Sequence, residues 1–166
     1  MRRYVGIDPS TKTGLVILDE DGELWEAREI EEGLNGRAPD PQHMSRLVNA
    51  VLRFVEPNDQ VTVEGFGFAS QSGFLLGGIG WGIRMGLYGK GINYFEPAPS
   101  AVKKFTGAGG NAGKEAVAVE VYKRWGFQHK SNNVTDAFVL AQIALALHEP
   151  VKLTAAQQEV IKKLKG

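Results

Sequence analysis

The sequence predicts an α/β fold, a five-stranded sheet flanked by helices, and three observations carry that expectation. Apolar alternation of period two opens the chain and returns at 61–63 and near Tyr94. Helical periodicity takes over between and after those segments. The resulting order is three strands in succession, then helix, strand, helix, strand and a run of helices.

Taken in order, Tyr4, Val5 and Ile7 form the first strand and Leu15 to Leu18 the second, joined through Pro9, Ser10, Thr11 and Gly14 as a hairpin. Pro9 disfavours the helical region for its predecessor, so Asp8 stays extended at the strand's end. Leu24 and Trp25, with alternation through Ile30, give a third strand. A polar turn over 35–41 precedes a helix from about Pro41 to Val55, in which Met44, Leu47, Val48, Val51, Leu52 and Val55 recur at helical spacing. Pro57, Asn58 and Asp59 stop it. Val61 and Val63 form a fourth strand that ends in Glu64.

From Gly65 to Ile83 there is no charged residue, which raises the question of a membrane span. Gly73, Gly77, Gly78, Gly80 and Gly82, with the polar Ser70, Gln71 and Ser72, dilute the hydrophobicity, so the expectation is a glycine-rich helix and no membrane. Glycines four apart (Gly73 with Gly77; Gly78, Gly82 and Gly86) suit close packing on a sheet or on a partner subunit. A fifth strand ends before Pro97, and a short helix capped by Ser100 follows. The stretch "GAGGNAGKE" is not a phosphate-binding P-loop, because Ala108 stands where the first glycine is needed and Glu115 follows Lys114. Helices then run from about Asn111 to Trp125 and from about Asn133 to Leu147, the second apolar almost all round and therefore buried. Residues 1–150 are expected to form a single domain, and 151–166 a Lys-rich helical tail.

The chain has 166 residues, enough for a well-buried core, and no cysteine, which excludes a disulfide framework and a thiolate metal site. With no signal-like apolar run at its start, cytoplasm is the expected compartment. Net charge is zero, yet eight acids against Arg28 between Asp19 and Glu32 give that segment minus seven and the remainder plus seven. With the acidic segment pointing away, Lys103, Lys104, Lys114, Lys123, Arg124 and Lys130 can collect phosphates.

Three acids stand at chosen element ends: Asp8, Glu64 and Asp136, the last in the first turn of the buried helix. Adjacent strands lie about 5 Å apart, so carboxylates at one edge of strands one and four meet if those strands are neighbours. Like charges so placed are costly unless a cation lies between them. Hard oxygen donors point to Mg²⁺, with Mn²⁺ as a substitute, and a pair of ions about 4 Å apart can hydrolyse a phosphodiester. Each acid also has a structural reading: Asp8 and Glu64 as turn starters, Asp136 as part of a helix start capped by Asn133.

The pieces "GIDPSTKTGLVI", "VTVEGF", "PSAVKKFTGAGGNAGKEAV" and "NNVTDAFVLAQIALA" resemble, in order and approximate spacing, the RuvC-like Holliday junction resolvases of the RNase H-like superfamily, with the bacteriophage branch closest in length. The resemblance implies an RNase H-like mixed sheet, three antiparallel strands and then two parallel. It also implies a homodimer acting on four-way and other branched DNA in the bacterial cytoplasm, a crossover junction endodeoxyribonuclease that nicks two symmetry-related strands and leaves 5′-phosphates and 3′-hydroxyls. The family's metal-binding acids fall on Asp8, Glu64 and Asp136, and its DNA-contacting lysines on Lys103 and Lys114, with Lys104 beside them and Lys114 also neutralising charge on the cut strand.

Two positions depart from the family. Asn133 stands where a fourth, charged or imidazole ligand is usual, and serves as metal ligand or helix cap. Gly67 stands where bacterial members carry an aromatic that stacks on a base, leaving Phe66 and Phe68 as candidates, and Arg84 is a further expected DNA contact. The competing readings are a nucleotide-binding module of the actin and sugar-kinase type, suggested by "GIDPSTKTG", and a catalytically degenerate branched-DNA-binding protein, suggested by Asn133.

Overall fold

The computed structural model describes residues 1–34, 36–67 and 73–166. Its elements are β1 (Tyr4–Asp8), β2 (Lys12–Leu18), β3 (Leu24–Glu31), α1 (Pro41–Leu52), β4 (Gln60–Val63), α2 (Gly73–Gly89), β5 (Tyr94–Phe95), α3 (Pro99–Thr106), α4 (Lys114–Trp125), α5 (Asn132–His148) and α6 (Ala155–Lys165). They form one five-stranded sheet in the order β3-β2-β1-β4-β5, with helices on both faces. β1, β2 and β3 pair antiparallel, while β4 runs parallel to β1 and β5 parallel to β4. The predicted order of elements and the mixed sheet are both present.

Strand alternation sorts the side chains into two cores. Val5, Ile7, Leu15, Ile17, Val61 and Val63 point to the face covered by α1 and α2. Tyr4, Val16 and Leu18 point to the face covered by α3, α4, α5 and α6. α5 lies centrally on that second face with Leu140, Ile143 and Val139 fully buried; each buried Leu or Ile contributes about 1.5–3 kcal/mol. Backbone packs directly on backbone here. A methyl group at Gly6 would lie 2.0 Å from the Ala137 carbonyl oxygen, and one at Gly14 would lie 2.0 Å from that of Asn133.

Several boundaries differ from the sequence expectation, each for a local reason. α1 ends at Leu52, because Phe54 and Val55 donate to Val51 and Leu52, a tightening into three-residue turns ahead of Pro57. Ser100 is not the cap of α3: Ala98 holds that place and Pro99 takes the first helical position, where its missing N–H costs nothing. α4 starts at Lys114, since Gly107 and Gly109 adopt positive φ (93° and 85°) and break any earlier helix. α5 starts at Asn132 behind a Ser131 cap.

The glycine stripe of α2 packs within the chain. Gly78, Gly82 and Gly86 receive Met44, Val48 and Leu52 of α1, four residues apart on each helix. α2 has 17 residues, and among the described residues no helix is long and apolar enough to cross a membrane. The segment expected as a tail packs through α6: Val160 and Ile161 are buried, and the Gln157 amide donates to the Phe105 carbonyl at 3.0 Å.

Candidate metal centre

β1 and β4 run side by side and stop together, with Ile7 paired to Val63. Glu64 therefore follows β4 opposite Asp8, and its N–H donates to the Ile7 carbonyl at 3.0 Å. Asp8 is itself in register with Gly14 of β2, the glycine on which the start of α5 rests. That contact brings the second turn of α5, and Asp136 with it, over the end of β1. Asp8, Glu64 and Asp136 each offer a carboxylate oxygen, and these atoms all lie within 4.8 Å of one another.

The electrostatics of the trio are those of charges held together against repulsion. Asp8 is 6% exposed, and its carboxyl is pushed well above the usual range, by burial first, then by the charge of Glu64 and a hydrogen bond with it, then by Asp136. Lys114 pulls in the opposite direction. The half-buried Asp136 is pushed up to about 7, again by burial and then by Glu64, with Lys114 and Lys103 opposing. Such a group is still partly protonated near neutrality, and a bound cation would take the proton's place. Three hard oxygen donors so close, with amide and carbonyl groups around them, fit a small divalent ion of the Mg²⁺ or Mn²⁺ type.

The acids open into a cleft of about 300 Å³, lined also by Ser10, Phe66, Gly77, Arg84 and Asn133. A hollow of about 440 Å³ near Pro57–Gln60 is larger, but its acid, Asp59, is already paired with Arg3 at 2.7 Å.

The other predicted site residues divide. Lys114 lies close enough for its charge to act on Asp8 and Asp136, and Lys103 close enough to act on Asp136. Lys104 instead lines a groove with Glu159 and Lys163 of α6. Asn133 is not the helix cap: the Ser131 hydroxyl accepts from Val134 N–H at 3.3 Å, while the Asn133 amide nitrogen donates to the Lys12 carbonyl at 2.8 Å. Asn133 thus ties α5 to the β1–β2 turn, and its amide oxygen is the atom left to coordinate. Asp136 correspondingly begins the second turn of α5, not the first.

Arg84 is 2% exposed, which removes it from the expected set of surface phosphate contacts. The ring of Phe66 lies over Gly80, with the Arg84 guanidinium 4.2 Å from its centre and Trp81 at 5.6 Å. Phe66 is committed to that packing, and Phe68 lies outside the described residues. Trp81, 57% exposed, was missed in the sequence among the glycines around it.

No protein-family model and no curated protein matches the sequence. Solved structures do match. The Thermus thermophilus RuvC structure aligns with a TM-score of 0.64 and 21% identity, covering 84% of this chain and 90% of that one. T. thermophilus RuvC in complex with Holliday junction substrate aligns with a TM-score of 0.62 and 19% identity, covering 85% and 90%. The chain has the RuvC, RNase H-like fold.

Proposed function

We propose that this chain is a metal-dependent, structure-selective endonuclease that resolves Holliday junctions and other branched DNA by paired, symmetric nicking. One observation carries the reading: three carboxylates from β1, β4 and α5 converge within 4.8 Å on a fold shared with RuvC, one neighbour of which is in complex with Holliday junction substrate. Asp8, Glu64 and Asp136 hold the cations, Mg²⁺ in the first place and Mn²⁺ as a substitute, with the Asn133 amide oxygen as a neutral fourth donor. Divalent ions bound there supply Lewis-acid stabilisation of the phosphate and a water acidic enough to attack it. Lys114 and Lys103 draw the scissile strand to the acids and offset its charge. The work is done in the cytoplasm, on DNA.

Paired nicking requires two sites, and α2 supplies a reason for a homodimer. Phe74, Trp81, Met85 and Tyr88 recur along its solvent face at 102%, 57%, 64% and 84% exposure, with no exposed charged residue between them. The one ionic side chain of the helix, Arg84, is buried. An uncharged apolar stripe of this kind marks an interface, and on a two-fold axis it is its own complement.

The test is a labelled synthetic four-way junction incubated with the protein in Mg²⁺, in Mn²⁺ and in chelator, beside three-way and linear duplex controls. Symmetric nicks in the four-way junction, lost in chelator and in Asp8→Asn, are the expected result. An Asp8→Asn protein that cuts at the wild-type rate overturns the reading. Sedimentation of the wild type as a dimer, and of Trp81→Glu as a monomer, tests the α2 interface.

A further inference from the structure

We infer that Arg84 is the positioning residue of the metal centre, a buried strut that fixes the end of β4 so that Glu64 presents its carboxylate to the ions. The inference rests on the metal-nuclease reading above and assigns a role within that same site.

An arginine in the middle of a glycine-rich apolar helix is costly to bury unless every donor is used. Here the donors reach three separate elements. One terminal nitrogen donates to the Glu64 carbonyl at 2.9 Å, the other to the Gly80 carbonyl of its own helix at 3.0 Å, and Nε donates to Glu96 Oε2 at 3.1 Å. The flat face of the guanidinium is covered by the Phe66 ring at 4.2 Å. Only a planar, forked cation serves all four neighbours at once; a lysine ammonium is a point charge without that geometry.

The consequence falls on Glu64. Its N–H is held by the Ile7 carbonyl and its C=O by Arg84, so both main-chain groups of the residue are fixed. The next residue is fixed as well: Gly65 N–H donates to the Pro97 carbonyl at 2.8 Å, and Pro97 follows Glu96, the carboxylate partner of Arg84. β4 and β5 are therefore clamped together beyond the last ladder bond, with Arg84 as the pin. The Glu64 side chain is thereby left to face Asp8 and Asp136. Groups that orient metal ligands from behind in this way control affinity for the ion without touching it.

The experiment compares wild type, Arg84→Lys and Arg84→Met in three readouts: Mn²⁺ affinity by electron paramagnetic resonance, kcat and KM on the four-way junction, and thermal melting. Mn²⁺ affinity is expected to fall about tenfold in Arg84→Lys and toward a hundredfold in Arg84→Met, the range seen when supporting partners of a metal site are lost. The kcat of Arg84→Lys is expected to recover as Mn²⁺ is raised, with the KM for the junction unchanged. If Arg84→Met does not fold, Arg84→Lys, which keeps the charge, decides alone. A folded Arg84→Lys with wild-type Mn²⁺ affinity and kcat overturns the inference, whether or not it melts earlier. So does a rise in junction KM with a shallower salt dependence and unchanged Mn²⁺ affinity, the signature of a direct phosphate contact. A wild-type chain that binds Mn²⁺ but does not nick the junction overturns the nuclease reading, and the Mn²⁺ arm then still decides the role of Arg84.

Discussion

Between Asp19 and Glu32, eight acids ride on the β2–β3 arm, five of them exposed and the rest half-buried; where β1 and β4 end, three other acids meet in a cleft. The arm is the larger charge, and it is the less consequential. Its carboxylates point to solvent along an edge strand, where a row of like charges discourages pairing with a second chain. Asp19 serves only its own turn, accepting from the N–H groups of Asp21 and Glu23. Asp8, Glu64 and Asp136 instead come from elements far apart in the sequence and are pressed together by a strand pair and a helix, where burial of Asp8 and partial burial of the other two leave less solvent to screen their repulsion. A site is made by convergence under burial; the number of charges decides little.

That contrast can be broken most severely at Gly14. Gly14→Ala drives a methyl group into the Asn133 carbonyl and lifts the start of α5 away from β1. We expect a loss of about 3 kcal/mol or more in stability, measured by urea unfolding, together with loss of junction cleavage in whatever fraction stays folded. A Gly14→Ala protein with wild-type stability and activity would show that the acids do not depend on this contact.

Next in size is the response to pH. Asp136 has a folded value of about 7 against an ordinary 3.8, and Asp8 is raised as well, so the folded state binds more protons than the unfolded one in that interval. Stability in chelator is therefore greatest near the lower bound and falls as pH rises toward 7. Asp40 and Glu149 are shifted the other way, by His43 and by Tyr4 with Arg2, and their stabilisation is lost only as pH falls to the acid side. Added Mn²⁺ should reverse the trend, with a stabilisation that grows with pH through 7 as the ion displaces protons. Melting curves in chelator that stay flat from pH 5 to pH 8 in the wild type, or keep their slope in Asp136→Asn, would contradict this account.

The smallest effect belongs to the arm. Reversing Glu20 and Glu23 to Lys should leave stability within about 0.5 kcal/mol and cleavage chemistry unaltered, because both side chains are exposed at the β2–β3 turn, beyond Leu18, which pairs with Tyr4 at the end of β1 opposite Asp8. A drop in kcat at saturating junction would mean that the arm belongs to the site after all.

Much of the centre was legible in the sequence because strand ends are legible. A period-two run that stops at an acid places that acid at a sheet edge, and two such runs bring Asp8 and Glu64 together once β1 and β4 pair. The caps were harder. Ser131, Asn132 and Asn133 are all good capping residues, and choosing among them takes the contact of Asn133 with the Lys12 carbonyl, which local sequence does not contain. Pro99 carried a signal that Ser100 obscured, since proline favours the first helical position and so sets the cap one residue earlier. Arg84 was read as a surface cation by its residue type. The inward row Ile79, Gly80, Ile83 and Leu87 puts position 84 beside it, and that spacing was available from the start. The direction of the apolar stripe on α2 was not, because glycines on several faces of the helix blur its period.

The close seating of α5 on β1 and β2 also has a consequence in time. With Gly6 and Gly14 allowing main chain to rest on main chain, these elements have no loose layer between them through which water could enter first. Their amide hydrogens should exchange together and last, only when the whole molecule opens, whereas α6 and the β2–β3 arm exchange sooner. The carboxylates of Asp8 and Asp136 are thus mounted on the slowest-opening part of the protein, and their mutual geometry persists as long as the native state itself.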